Sequence, residues 1–263
     1  MITSSSNAKI KDIRKLRNRK FREESGLFFA EGSRIVIEAI EHGADIKDLI
    51  VTPRYAQSDI GLQVINRANE KKLHLLEVSE EVFQSLSQKE GPQGIGAVIS
   101  QKWSKIESLT SRFSGVWLGL YEIADPGNLG TIIRTCDATG IRHILLIGNC
   151  TDPYDPTALR ACMGGIFSKE LFQLSTDNFI DLIKHQGINV IGTADSAEID
   201  YRSFRFPEDM ILMMGSEREG LPLRIAEICK AIVRIPMQGS CDSLNLAVAT
   251  GVVLYEILYQ HII

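Results

Sequence analysis

Three short stretches combine glycine with amide, carboxylate or guanidinium side chains, and each lies between an apolar run and a helical one. "ADPGNLGTIIRT" (124–135) carries Asn128 and, one to two helical turns later on a similar face, Arg134. "MGSEREGLP" (214–222) carries Gly215 and Glu217. "RIPMQGSCDSLNLAVATG" (234–251) carries Ser243 and Asn245 just ahead of a wholly apolar helix. Gly215, directly after a buried strand, lets a ligand approach the backbone. The free N–H groups heading the last helix favour a carboxylate or a polar ligand edge. Taken singly, each residue has a plainer reading: Arg134 as a surface ion pair, Asn128 as an N-cap, Glu217 as the cap of the next helix. Their meaning rests on whether one fold brings them together.

The elements needed for that are legible. Short apolar strands at "GVWLGLYE", "HILLIG", "INVIGTA", "MILMMG" and "AIVRIP" alternate with helical stretches near 129–139, 156–163, 177–185, 221–230 and 244–259. This pattern predicts a parallel sheet covered on both faces, with ligands collecting beyond the carboxyl ends of its strands. The last helix, apolar nearly all round, is expected to be largely buried. Ahead of this domain, "LFFAEG", "DLIVTP", "LHLLEVS" and "GIGAVIS" alternate with helices near 33–42 and 59–71, a smaller α/β unit. The charged, serine-rich stretch between them reads as a linker. The predicted organisation is an N-terminal domain over 1–100, a linker over 101–114 and a second domain over 115–263.

Composition narrows the chemistry. The 263 residues suffice for two cores, and no apolar run approaches membrane-spanning length, so a cytoplasmic protein is expected. The five cysteines form no C-x-x-C pair and the five histidines no H-E-x-x-H, so no metal is expected. The glycine-rich stretches match neither a P-loop nor the dinucleotide fingerprint, which disfavours a nicotinamide-dependent oxidoreductase. The net charge of −4 conceals "KIKDIRKLRNRKFR" (9–22), with eight basic residues against Asp12 alone. Such a block suits a phosphate-bearing partner, although solvated helix faces also look like this. Serine and arginine near the start also match a mitochondrial transit peptide, but Ile10, Ile13 and Leu16 at helical spacing predict an amphipathic helix that packs against another element.

"DPGNLGTIIRTCDATG", "MGSEREGL" and "IPMQGSCDSLNLAVATGVVLYE" resemble, in order and spacing, the three motifs of the SpoU (TrmH-like) RNA ribose 2′-O-methyltransferases of the SPOUT class. "RACMGGIFS" (160–168) is similar to a further element of that family, and the N-terminal stretch resembles its RNA substrate-binding domain, an L30e-like ribosomal protein fold. The resemblance implies a trefoil-knotted C-terminal domain that binds S-adenosylmethionine, in a homodimer whose active sites lie at the subunit interface. It implies cofactor contacts around Gly215, Ile235, Met237 and Leu244. Arg134 matches the family's catalytic arginine, with Asn128, Glu217, Ser243 and Asn245 at its other polar positions. Ser216 and Arg218 stand where asparagine and glycine are frequent, which bears on RNA specificity.

The expected activity is therefore methylation of a ribose 2′-hydroxyl in structured RNA, ribosomal rather than transfer RNA because the N-terminal domain is present. Lys11, Arg14, Lys15, Arg17 and Arg19 are expected to contact phosphate, supplying affinity rather than sequence choice. The alternative is a catalytically silent RNA-binding relative acting in RNA folding or ribosome assembly.

Overall fold

The computed structural model describes residues 1–88, 90–105 and 113–262. Much of the expected linker, 106–112, lies outside the described residues. The chain forms two compact units: Met1–Gln101 with Tyr154–Phe167, and Lys102–Pro153 with Ser168–Ile263. Among the described residues no helix is long and apolar enough to cross a membrane.

The first unit runs α1 (Ala8–Lys15), α2 (Arg19–Ser25), β1 (Leu27–Glu31), α3 (Ser33–Glu41), β2 (Ile46–Val51), α4 (Pro53–Ala56), α5 (Asp59–Glu70), β3 (Leu75–Glu77), α6 (Glu80–Leu86) and β4 (Ile95–Ser100). Its sheet has the order β1-β4-β2-β3, with β4 antiparallel to both neighbours and β2 parallel to β3. Ile10, Ile13 and Leu16 are buried against Val82, Phe83 and Leu86, so the amphipathic reading of α1 holds. Each such side chain contributes about 1.5–3 kcal/mol by leaving water. The basic run is divided, however, because Asn18 accepts from Lys20 N and starts a second helix.

Not all of that run faces solvent. Arg14 donates to Ser85 Oγ at 2.8 Å, and Arg17 donates to the carbonyls of Ser85 and Ser87, both at 2.8 Å. Burial, then the nearby Arg14 charge, lowers the Arg17 pKa from its usual value. The two arginines close the C-terminal turn of α6, where free carbonyls attract cations. Arg22 is fully buried: its Nη1 donates to the carbonyls of Leu16 and Arg17, each at 2.9 Å, and its Nη2 lies 3.5 Å from Asp155 Oδ2. Asp155 caps α8 (Pro156–Cys162), which thereby joins the first unit, with Tyr154 and Phe167 flanking Phe28. Arg22→Ala is expected to lower stability by about 3 kcal/mol in urea denaturation, since it strands two carbonyls and removes the charge facing Asp155.

The second unit contains β5 (Val116–Tyr121), α7 (Pro126–Ala138), β6 (His143–Ile147), β7 (Glu170–Leu174), α9 (Thr176–Gln186), β8 (Val190–Thr193), β9 (Ile199–Asp200), β10 (Met210–Met214), α10 (Leu223–Ala226), β11 (Ala231–Arg234) and α11 (Leu246–Ile262). The seven strands are all parallel, in the order β7-β6-β5-β10-β8-β11-β9. From β5 the chain steps outward through β6 and β7, then returns to build the other half, with β10 laid directly beside β5. That reversal of direction is where open parallel sheets leave a crevice at their carboxyl ends.

The expectation for α11 needs correcting. Ala247, Thr250, Val253, Leu254 and Ile257 are buried, but Val248, Tyr255 and Tyr259 are 52%, 53% and 64% exposed. A helix apolar on all sides needs cover on all sides, and within this unit α11 packs chiefly on α7.

Candidate active site

The three polar stretches meet at the carboxyl ends of β5, β10 and β11. After β5 the chain turns into α7 through Asp125, whose Oδ1 accepts from Asn128 N at 2.6 Å, with Pro126 in the first helical turn. The N-cap is therefore Asp125 and not Asn128, which frees the Asn128 side chain. The signal for this was the Asp-Pro pair, since proline favours the first helical position and aspartate the position before it.

After β10 the chain bends back on itself. Ser216 N donates to Gly220 O at 3.0 Å and Gly220 N returns a bond to Ser216 O at 3.1 Å. A Cβ on Gly215 would lie 2.2 Å from Gly220 C and 2.5 Å from Leu221 N, so within this chain the glycine is required by the chain's own backbone. Ser216 Oγ accepts from Glu219 N at 3.2 Å, which gives the departure at this position a part in the turn. Arg218 is exposed.

Glu217 is held at the tip of the bend and caps no helix, since α10 begins at Leu223 after Pro222, with no side-chain cap. Its carboxylate instead crosses to the β5–α7 turn. It accepts from Ala124 N at 3.1 Å, Asp125 N at 3.2 Å and Asn128 Nδ2 at 3.1 Å. Burial alone would raise the Glu217 pKa, but these hydrogen bonds outweigh it and hold the carboxyl below its ordinary value.

Asn245 supplies the third member. Its Oδ1 accepts from Ala247 N at 2.9 Å and so caps α11, while its Nδ2 donates to Asn128 Oδ1 at 2.9 Å. The polarity of this chain of bonds is determined throughout. An ionised carboxylate only accepts, so Asn128 must turn its amide nitrogen to Glu217 and its oxygen to Asn245. Asn245 must then present its own oxygen to the helix.

The other expected residues do not join this lock. Six residues along a regular helix place Arg134 about 120° around from Asn128, so the two do not share a face. Arg134 is exposed and makes no hydrogen bond or ion pair among the described residues. Ser243 is also exposed in the loop before α11. Ile235 is half-buried, while Met237 and Leu244 are 37% and 36% exposed, two apolar side chains in an otherwise polar loop. Of the basic residues in the first unit, Lys11, Lys15 and Arg19 are at the surface, Lys15 paired with Asp12 and Arg19 with Glu23. Among the described residues no group of three or more His, Cys, Asp or Glu is placed to hold a metal ion.

The cysteines divide sharply. Burial pushes the thiols of Cys136 and Cys229 up to about 12, and Cys150 and Cys162 are buried, whereas Cys241 is exposed in the β11–α11 loop. One thiol is therefore expected to react quickly with a disulfide reagent at pH 8, and mass spectrometry should place the label on Cys241.

Comparison with known proteins identifies the family. Residues 115–255 match the SpoU rRNA Methylase family, and residues 7–97 match the MRM3-like substrate binding domain. The 23S rRNA (guanosine(2553)-2′-O)-methyltransferase RlmP of Bacillus subtilis is 29% identical over 97% of this chain and 98% of its own. The crystal structure of an AdoMet-bound rRNA methyltransferase from Sinorhizobium meliloti superposes with a TM-score of 0.88 at 35% identity, covering 100% of this chain and 98% of that one. The SpoU methyltransferase AviRb from Streptomyces viridochromogenes, solved with AdoMet, gives a TM-score of 0.88 at 27% identity over 97% and 98% of the two chains. With more than half its length matched by one family model and its three polar loops joined at a single sheet edge, the chain belongs to the SpoU rRNA methylase family.

Proposed function

We propose that the protein methylates a ribose 2′-hydroxyl of ribosomal RNA, using S-adenosylmethionine. The observation that carries this reading is the hydrogen-bonded lock Glu217–Asn128–Asn245, which fastens three loops at the carboxyl edge of the sheet beside the strand reversal. The residues present fit the cofactor. Met237 and Leu244 offer apolar surface for an adenosyl group to cover, and the bend at Gly215 and the backbone near Ile235 supply amide and carbonyl groups. When bound, the cofactor supplies an electrophilic methyl group. Because Cys241 lies in the same loop, saturating S-adenosylmethionine is expected to slow its labelling by roughly fivefold or more; an unchanged rate would move the cradle elsewhere.

The chain's own groups would then act by positioning and electrostatics. Ser243 and Asn128 orient the ribose hydroxyl. Arg134, cationic at any ordinary pH, holds an adjacent phosphate and stabilises negative charge developing on the attacking oxygen. Two features support a site shared between two copies of the chain: Arg134 faces outward, and the exposed Val248–Tyr255–Tyr259 stripe runs along α11, the helix packed on α7. We read α11, tied to the first turn of α7 through Asn245, as the element that closes a trefoil knot. Residues 1–100 are read as an L30e-like RNA-binding domain, 101–114 as a linker and 115–263 as the methyltransferase domain, acting in the cytoplasm. Within this division, α8 is the part of the second domain that packs with the first unit, through Arg22 and Phe28. Phosphate contacts fall to Lys11, Lys15 and Arg19, with Arg14 and Arg17 fixing the helix that presents them.

The test is methyl transfer from labelled S-adenosylmethionine to 23S rRNA purified from a strain lacking the gene, followed by mapping of ribose methylation. A single restored 2′-O-methyl position is expected. Binding of that RNA with no transfer above an Arg134→Ala control would favour the silent relative.

A further inference from the structure

Helix α7 carries an acid where one is disfavoured. Asp137 lies in its last turn, where the helix end repels negative charge, and that turn holds no basic residue. The acid also lies close to the proposed chemistry. On an α-helix the surface neighbours of Arg134 are the residues three and four away in each direction. Three of them are Gly130, Thr131 and Ala138, and the fourth is Asp137.

Opposite charges three residues apart on a helix are placed to pair, as Asp12 and Lys15 do at 2.8 Å in α1. Arg134 makes no such pair among the described residues. Asp137 is held instead by the segment that enters β7. Lys169 Nζ lies 3.0 Å from Asp137 Oδ1, and Ser168 Oγ donates to the same oxygen at 2.6 Å.

Burial decides which cation wins the carboxylate. The Lys169 side chain is 4% exposed, so its attraction for Asp137 is little screened by water or salt. An Arg134–Asp137 pair would lie at the surface, where such pairs are weak. Lys169 is not diverted to the next residue either, since Glu170 faces Arg142 Nη2 at 3.1 Å and His143 Nε2 at 3.7 Å.

We infer that Lys169 is a positioning residue for methyl transfer: by holding and neutralising Asp137, it keeps the Arg134 guanidinium available to RNA. The inference rests on the function proposed above. Without Lys169, Asp137 can turn onto Arg134 and compete with phosphate for it. Even when it does not, an uncompensated carboxylate stands one helical turn from the place where phosphate must approach, and repels it. Both effects run through the charge of Asp137. If Lys169 served only to fill the core or to steady the end of α7, its loss would not be undone by removing that charge.

The experiment compares the full-length wild-type protein with Lys169→Met and with Lys169→Met combined with Asp137→Asn. Methionine keeps an apolar stem in the buried space, and the carboxylate it leaves behind is half exposed, so both variants are expected to fold. Single-turnover methyl transfer to 23S rRNA should be roughly fivefold slower in Lys169→Met, with S-adenosylmethionine affinity within about twofold of wild type. The double variant should return to within about twofold of the wild-type rate. The deficit of Lys169→Met should also shrink as salt is raised from about 50 to about 500 mM, because the charges involved lie at the surface. A second readout needs neither RNA nor cofactor. The Arg134 Nε–H resonance in nitrogen-15 NMR, assigned by its loss in Arg134→Ala, should move in Lys169→Met and return in the double variant. Equal slowing of both variants would make Lys169 a packing residue and overturn the inference. So would an unchanged rate in Lys169→Met, or an Arg134 resonance that stays in place. If the wild-type protein itself transfers no methyl group to RNA, the functional reading fails, and the resonance still decides whether Lys169 keeps Asp137 from Arg134.

Discussion

Arg134→Ala is expected to slow methyl transfer by about a hundredfold to a thousandfold, the range for loss of one preorganised charge donor, while S-adenosylmethionine affinity stays within about twofold. The two effects separate because Arg134 lies outside the hydrogen-bonded lock and has no partner among the described residues to lose. Stability should change by less than about 0.5 kcal/mol, as for other exposed positions. Equal loss of transfer and cofactor binding would instead point to a structural role. Arg134→Lys should recover part of the rate, since it keeps the charge but not the planar fork. The shared-site reading makes a sharper demand. Arg134→Ala and Asn245→Ala, each inactive alone, should regain about a quarter of wild-type activity when unfolded together and refolded, because half of the dimers are mixed and each has one intact site under two-fold symmetry. No recovery would return the whole site to a single chain.

The sequence was most informative where burial dictates pattern. The apolar runs of β5, β6, β8, β10 and β11 are continuous because both faces of a parallel sheet are covered, and they were legible for that reason. β7 was missed because "ELFQL" interrupts its apolar run with Gln173, and β9 because two residues carry no pattern. α4 and α6 were missed because each is too short for periodicity, although Thr52 and Ser79 cap them. At the site, the identities of Asn128, Glu217 and Asn245 were legible and their connections were not. Glu217 reaches back 89 positions to Asn128, and Asn245 reaches 117, distances over which local rules say nothing. In the basic run, charge count alone cannot distinguish Lys11, at the surface, from Arg14 and Arg17, each of which turns one guanidinium nitrogen to the end of α6.

Asn128→Asp should give cofactor binding a pH dependence across pH 5–8 that the wild-type lock does not impose, and no other single substitution tests the lock so directly. In the wild-type chain the Glu217 pKa lies below its ordinary value, so the lock's contribution is fully present above the unfolded glutamate value of about 4.3 and is lost as pH falls through the folded one. Across pH 5–8 wild-type affinity should therefore be flat as far as this carboxylate is concerned. In Asn128→Asp the amide donor 3.1 Å from Glu217 becomes a second carboxylate. Two carboxylates at that distance cannot both ionise cheaply, so the pair retains a proton well above the ordinary range. At pH 8, with both charged, the bond to Glu217 is replaced by repulsion, and affinity for S-adenosylmethionine should fall by roughly tenfold to a hundredfold. As pH drops toward 5, the retained proton restores a donor between the two oxygens, and affinity should climb back toward the wild-type value. Isothermal titration at pH 5, 6.5 and 8 measures this directly. A variant equally weak at all three values would mean that the substitution broke the β5–α7 turn, while one equal to wild type throughout would show that the loops are held by something other than this chain of bonds. Asn128→Ala serves as the reference, since it removes the donor without adding charge and should weaken binding with little dependence on pH.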